Sequence, residues 1–239
     1  TSNGCTAANT VSVSLSPSAL FAQINPATQL NCTTTAVQLN ALVSSNTANL
    51  NYQWSTTSGG NILSGDKSLT PTVNEPGQYD LLITDPANGC TAQASIAVTR
   101  DVQPPIASVA PAAQLNCTVT NLSLNSAGSS TGSHFAYLWT TSDGNILSGS
   151  NTLAPSVDKP GQYSLLITNT LNGCTATVST FVTQDITLPL VDAGAPKTLL
   201  CNTSSLILTG TATNTSASFD ILWTTLDGQI LSGANTLSP

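Results

Sequence analysis

The sequence predicts an all-β protein built from tandem β-sandwich repeats of about 84 residues. The motif Asn-Gly-Cys-Thr-Ala occurs at 3–7, 88–92 and 172–176, at spacings of 85 and 84 residues. The three tryptophans, Trp54, Trp139 and Trp223, are separated by the same two spacings. Unrelated motifs that share one period indicate a repeated structural unit.

Within one period, apolar and polar residues alternate, which is typical of strands with one buried face. Leu50, Tyr52 and Trp54 alternate with polar residues, and the pattern recurs at 135–139 and 219–223. A second alternating strand follows the sequence Pro-Gly-Gln-Tyr in the first two periods, and no stretch has a convincing helical pattern. Short strands around one central tryptophan predict a β-sandwich. Its predicted core residues include Trp54, Trp139, Trp223, Tyr79 and Tyr163.

Gly-containing dipeptides predict the turns, because Asp-Gly and Asn-Gly supply the positive φ angles of tight hairpins. Asp143-Gly144 and Asp227-Gly228 separate the Trp strand from the Ile-Leu strand that follows it. Asn88-Gly89 and Asn172-Gly173 precede the last strand of a repeat. We therefore expect a hairpin at each of these positions.

Two segments carry a family resemblance: PGQYDLLITDPANGCTAQASIAVTRD at 76–101 and PGQYSLLITNTLNGCTATVSTFVTQD at 160–185. With the LNC segments at 30–32 and 115–117, they resemble the Ig-like and PKD-like tandem repeats of large secreted surface proteins of Bacteroidetes-type bacteria. The resemblance implies Ig-like sandwiches in an extracellular adhesin or filament protein. One departure is that Cys90 lies eleven residues after Tyr79, whereas an immunoglobulin has its second cysteine two residues after the corner tyrosine.

The repeat divides the chain into four predicted parts. Residues 1–16 form the last strand of a preceding repeat, 17–101 form repeat 1, 102–185 form repeat 2, and 186–239 form an incomplete third segment that lacks its last two strands. Both ends are thus expected to lie within a domain. Either the chain is a window of a longer array, or the first strand of one copy completes the last domain of the next copy.

Six cysteines allow 15 disulfide pairings. Each full repeat has one cysteine near its start and one at its last strand, so the predicted pairs are Cys32–Cys90 and Cys117–Cys174. The first would close a loop of 58 residues, worth roughly 4 kcal/mol in the chain-entropy model. Cys5 and Cys201 remain as candidates for a bond between subunits or repeats. Stable disulfides indicate an oxidising, extracellular compartment.

Composition argues against several function classes. Only four residues are basic and the net charge is −7, so the chain lacks the basic stripe that nucleic acid requires. It also lacks an apolar run long enough to span a membrane. No CxxC motif occurs and His134 is the only histidine, which argues against zinc.

Candidate sites for catalysis or cofactors are absent from the sequence, and we expect no enzyme. His134 lies on the polar face of the Trp strand, where a solvated side chain is expected. Asp101, Asp185 and Asp192 lie at the linkers between repeats, where carboxylates can bind calcium, although dense acidic clusters are missing. The tryptophans could stack on sugars, but their alternating apolar neighbours favour a core role.

Three functions fit these features. The first is a structural one, in which disulfide-stapled repeats build an extracellular filament or stalk with copies of themselves or neighbouring repeats as partners. The second is a cell-surface adhesin that binds a glycan or cell-surface ligand. The third is a spacer array attached to a secreted enzyme.

Overall fold

The computed structural model describes residues 3–13, 20–44, 49–213 and 220–239. Across these residues every regular element is a strand, and no helix occurs. The predicted all-β class with Ig-like sandwiches is therefore confirmed. The predicted boundary between residues 16 and 17 lies outside the described residues.

Repeat 1 contains ten short strands. Their bounds are β1 Phe21–Ile24, β2 Leu30–Asn31, β3 Val37–Gln38, β4 Ala41–Ser44, β5 Asn51–Thr57, β6 Ile62–Ser64, β7 Thr72–Val73, β8 Gly77–Thr84, β9 Thr91–Val98 and β10 Arg100–Asp101. The antiparallel sheet β5-β8-β9 packs against the sheet β3-β7-β6, and their inner side chains form one core. β1 pairs with β4, and the short strand β2 runs parallel to β10.

Repeat 2 has the same plan with eight strands. Their bounds are β11 Leu115–Asn116, β12 Leu122–Ser123, β13 Phe135–Thr141, β14 Ile146–Ser148, β15 Ser156–Val157, β16 Gly161–Asn169, β17 Thr175–Val182 and β18 Gln184–Asp185. The sheet β13-β16-β17 corresponds to β5-β8-β9, and β12-β15-β14 corresponds to β3-β7-β6. β11 runs parallel to β18, as β2 does to β10.

Each core is centred on the middle strand of the larger sheet. Tyr79, Leu81 and Ile83 of β8 point inward and are at most 1% exposed, whereas Leu82 between them is 37% exposed. Trp54 on β5 is paired with Leu81 and is 2% exposed. Repeat 2 buries the corresponding side chains Trp139, Tyr163, Leu165 and Ile167.

Buried tyrosine hydroxyls connect the middle strand to the loops at its start. The Tyr79 hydroxyl donates to the Glu75 carbonyl at 2.6 Å and accepts from the Asn61 backbone N–H at 2.9 Å. Tyr163 makes the corresponding two bonds in repeat 2, at 2.8 and 2.9 Å. Both polar tips are thus satisfied inside an apolar core, where an unpaired hydroxyl would be costly.

The predicted hairpin at Asp143-Gly144 is wrong. The strands on either side of it, β13 and β14, belong to different sheets, so the turn carries the chain from one sheet to the other. Gly144 does not have a positive φ. Glycine is needed there because a Cβ would overlap the hydroxyl of Tyr163. The last turn of each repeat does form a hairpin, with φ of 74° at Gly89 and 69° at Gly173.

The third segment has two described strands, β19 Leu190–Asp192 and β20 Thr211–Thr213, which pair antiparallel. Trp223 is only partly buried, unlike the core role that the sequence predicts for it. The reason is that no described strand pairs with residues 220–225 in the way that β8 covers β5. Its local bonds are nevertheless formed, because the Trp223 indole N–H donates to the Thr236 carbonyl at 2.8 Å.

Residues 3–13 form no strand, in contrast to the strand predicted over 1–16. Val11 and Val13 are 89% and 91% exposed. Within the described part of the chain they have no sheet to pack against.

Replacing Trp139 by alanine should destabilise repeat 2 by roughly 3–5 kcal/mol, because removing a large buried aromatic side chain leaves a cavity. Urea unfolding followed by circular dichroism measures the change. His134→Ala is the matched control, since His134 is exposed and directly precedes the strand that carries Trp139. Equal midpoints for the two variants would contradict a core role for Trp139.

Candidate functional site

Repeats 1 and 2 are joined by a covalent junction. A disulfide connects Cys32 of repeat 1 to Cys174 of repeat 2, with their Cα atoms 5.1 Å apart and a sequence separation of 142 residues. This Cα separation is within the usual range for disulfides. The junction brings the Asn-Cys-Thr motif of repeat 1 into contact with the Asn-Gly-Cys motif of repeat 2.

Both predicted disulfide pairs, Cys32–Cys90 and Cys117–Cys174, are therefore wrong. Cys32 follows β2, which pairs with β10, whereas Cys90 precedes β9, the strand that leads to β10. Since β9 has eight residues, the two cysteines lie at opposite ends of a strand about 26 Å long. A disulfide cannot span that distance.

Cys174 is presented by a tight turn between β16 and β17. The Gly173 N–H donates to the Asn169 carbonyl at 2.8 Å, and the Asn169 N–H donates to the Cys174 carbonyl at 2.8 Å. The Asn172 side-chain oxygen accepts from the Cys174 N–H at 3.0 Å. Asparagine is suited to this position because its short side chain bonds the backbone two residues ahead.

Cys32 is presented by a second asparagine turn. The Asn31 side-chain oxygen accepts from the backbone N–H groups of Thr33 and Thr34, at 3.0 and 2.7 Å, and from the Thr33 hydroxyl at 2.9 Å. Asn31 itself belongs to β2, which is held by β10. The turn is thereby positioned at the end of repeat 1 that faces repeat 2.

Direct hydrogen bonds accompany the disulfide across the junction. The Asn172 carbonyl accepts from the Cys32 N–H at 3.0 Å. The Asn172 side-chain amide donates to the Asp101 carboxylate of repeat 1 and also to the carbonyl of Gln103 at the start of repeat 2, both at 3.0 Å. Asn172 and Cys174 are each only 2% exposed, whereas Asp101 is half-buried and Cys32 and Gln103 are exposed. The polar contact is therefore buried on the side of the repeat 2 hairpin and open to solvent on the other side.

Gly173 allows the two turns to meet. It has a φ of 69°, and a Cβ there would overlap Thr33 of the facing turn. Its counterpart Gly89 has a φ of 74°, but a Cβ at Gly89 would meet no atom within 4 Å. Backbone conformation requires glycine at both sites, and close packing requires it at Gly173 alone.

Four cysteines are not bonded in the structure: Cys5, Cys90, Cys117 and Cys201. Cys5, Cys117 and Cys201 are exposed, and Cys90 is half-buried. The bond suggested between Cys5 and Cys201 of different subunits remains a prediction.

The predicted linker carboxylates are not gathered into a metal site. Asp101 accepts from the Gln103 N–H at 3.1 Å as well as from Asn172, and Asp185 accepts from the Thr187 N–H at 3.0 Å. Asp192 is exposed. The described ranges contain no group of three His, Cys, Asp or Glu residues arranged to hold a metal ion. His134 is exposed, and its carbonyl accepts from Thr170.

One cavity of about 300 Å³ lies in the third segment. It is lined by the two strands β19 and β20 and by residues 220–223, with Trp223 and Leu237 among its apolar groups. The corresponding strand of repeat 1, β5, is paired with β8.

The part of the chain that the structure describes contains no helix long and apolar enough to cross a membrane.

Sequence reasoning missed Asn172, Thr33 and Asp101 as parts of one junction. The available signal was that the motifs Asn-Gly-Cys and Asn-Cys-Thr both recur along the chain. We expected the two motifs of the same repeat to contact each other. Both motifs are turns that present a cysteine, but only the direction of β9 and β17 shows that they face different neighbours.

No known family model matches the chain, and no curated protein matches it. Several solved structures are similar in fold. An I-band fragment of titin shares 13% identity with a TM-score of 0.37, over 83% of this chain and 75% of that one. The three N-terminal domains of the outer capsid protein Hoc of bacteriophage RB49 share 15% identity with a TM-score of 0.38, over 81% and 68% of the two chains.

Extracellular domains 3–5 of Drosophila OTK share 10% identity with a TM-score of 0.36. That match takes in 68% of this chain and 62% of the OTK chain, which is less than two thirds of its length.

Gly173→Ala should weaken the Cys32–Cys174 bond by at least about tenfold in its equilibrium with glutathione, because the added methyl group overlaps Thr33. A tenfold change corresponds to about 1.4 kcal/mol. Gly173→Ala combined with Thr33→Ser is the matched control, since it keeps the backbone strain at residue 173 and removes the Thr33 methyl group that the added Cβ overlaps. Thiol trapping and mass spectrometry at graded redox potentials measure both. If both variants shifted the equilibrium equally, the overlap would have no role.

Proposed function

We propose that this chain is a load-bearing segment of an extracellular filament or stalk made of disulfide-linked Ig-like repeats. The observation that carries the proposal is the Cys32–Cys174 bond, which connects the start of repeat 1 to the last hairpin of repeat 2. Under tension the covalent path passes through the sulfur atoms and bypasses the residues between them. Both hydrophobic cores lie almost entirely within that bypassed loop.

Other features support an extracellular, non-catalytic role. A stable disulfide between domains favours an oxidising compartment. Only 6% of residues are charged, and of these Arg100 forms an ion pair with Glu75 at 3.0 Å, so the surface is mainly neutral and polar. Such a surface suits a stalk, and the few basic residues do not suit binding to nucleic acid. The resemblance to repeats of secreted bacterial surface proteins points in the same direction.

Single-molecule stretching of the chain from its two ends tests the proposal. The loop closed by the disulfide has a sequence separation of 142 residues, which corresponds to roughly 500 Å of extended chain. We expect this length to stay hidden in the oxidised protein and to be released after reduction or in Cys174→Ser.

Cys90→Ser is the matched control and should extend like the oxidised parent chain, because Cys90 is not bonded. Equal extension of the oxidised and reduced chains would overturn the load-bearing role. Binding to cells or glycans that is lost when a single repeat is altered would favour the adhesin function instead.

A further inference from the structure

The turn that presents Cys32 has a second copy in repeat 2. The Asn116 side-chain oxygen accepts from the backbone N–H groups of Thr118 and Val119, at 2.9 and 2.7 Å, and from the Thr118 hydroxyl at 2.8 Å. These bonds match those of Asn31 within 0.1 Å. Cys117 is thus presented in the same way as Cys32, on a turn whose strand β11 is held by β18.

The hairpin that presents Cys174 also has a second copy, in repeat 1. The Gly89 N–H donates to the Asp85 carbonyl at 2.8 Å, and the Asp85 N–H donates to the Cys90 carbonyl at 2.9 Å. The Asn88 side-chain oxygen accepts from the Cys90 N–H at 2.8 Å. This pattern is the same as that of Asn169–Cys174.

The copies differ in exposure. Asn172 and Cys174 are buried where their hairpin contacts repeat 1. In the other hairpin Asn88 and Gly89 are exposed, and a Cβ at Gly89 would meet no atom within 4 Å. One copy of the hairpin is docked and the other has the same shape without a facing turn among the described residues.

The bonded pair shows which repeats these copies can join. Cys32 is bonded to the hairpin of the repeat that follows its own, and the two cysteines of one repeat lie at opposite ends of its last strand. Cys117 therefore faces the position of a repeat that follows repeat 2. Cys90 faces the position of a repeat that precedes repeat 1.

We propose that the asparagine turn around Cys117 is a docking site for the Asn-Gly-Cys hairpin of a following repeat, and that Cys117 forms a disulfide with it. The Cys90 hairpin is the other half of the same connection and bonds the asparagine turn of a preceding repeat. Each repeat is then stapled to both neighbours, so that disulfides of adjacent pairs overlap along the array.

Each bond forms by ordinary thiol–disulfide exchange. Two cysteine thiols lose two protons and two electrons, and a disulfide oxidant such as oxidised glutathione accepts them and becomes two thiols. Aligned cysteines and a preformed turn lower the entropy that must be lost on closing the bond.

The third cysteine turn departs from the pattern and is not included. Leu200 replaces the asparagine before Cys201. The turn is closed instead by Thr203, whose hydroxyl accepts from the Leu200 N–H at 3.2 Å and donates to the Leu200 carbonyl at 3.0 Å.

The inference rests on the proposed array. It can be tested in a chain that is lengthened at its C-terminus. Pro239 occupies the position of Pro155, because the Leu208 N–H donates to the Pro239 carbonyl at 3.1 Å as the Leu124 N–H does to Pro155 at 3.0 Å. Adding a copy of residues 156–185 after Pro239 completes a third repeat with its own Asn-Gly-Cys hairpin. Methionine in place of the copied Leu171 marks the added peptide by mass, since the chain has no Met.

After refolding with oxidised and reduced glutathione, non-reducing peptide mapping should find the added cysteine bonded to Cys117. The count of free thiols should fall from four to three although a cysteine was added, because Cys117 and the added cysteine pair and leave Cys5, Cys90 and Cys201. Cys117→Ser should leave the added cysteine as a thiol, whereas Cys201→Ser should not affect its bond.

The Cys32–Cys174 bond in the same molecules reports that the first two repeats have folded. A second chain, in which residues 186–239 are replaced by another copy of 102–185, repeats the test with a segment that forms a complete sandwich as repeat 2. The proposal is overturned if the added copy of Cys174 bonds Cys201 in the first chain. It is also overturned if that copy stays free in both chains while the Cys32–Cys174 bond forms. Because mapping reads connectivity alone, such a failure would leave the result of the stretching experiment unaffected.

Discussion

The Cys32–Cys174 bond closes a covalent loop that contains the cores of two different repeats. In the chain-entropy model, a loop with this separation of 142 residues stabilises the folded state by about 5 kcal/mol relative to an open unfolded chain. A bond within one repeat would constrain that repeat only. The bond between repeats also prevents the two sandwiches from separating, and Asn172 adds hydrogen bonds to Cys32 and Asp101 of repeat 1.

The junction is built on small polar turns. Asn31, Asn172 and Asp101 are each used to orient backbone or side-chain donors, and Gly173 supplies the space for close approach. Because these turns use polar side chains and backbone groups, a chain with 6% charged residues still has specific contacts between its domains.

Local and tertiary interactions can be separated by comparing the three tryptophans. In all three the indole N–H donates to a backbone carbonyl 13 or 14 residues ahead, at 2.8 to 3.0 Å. Trp223 makes this bond while remaining partly exposed, whereas Trp54 and Trp139 are 2% exposed. The bond is therefore a property of the loop between neighbouring strands, and burial comes from the middle strand of the larger sheet.

The sequence by itself determined the long strands of repeats 1 and 2 and the inward positions of Tyr79 and Tyr163, because the alternation of apolar and polar residues is visible within a few tens of residues. It also showed that cysteines recur in asparagine-containing motifs. The pairing of those cysteines was decided only by the tertiary structure. Two cysteines of one repeat are separated by the length of β9 or β17, and sequence spacing carries no information about the direction in which a strand runs. The stacking of one sandwich on the next places Cys174 beside Cys32, so the bond follows from the order of the repeats in space.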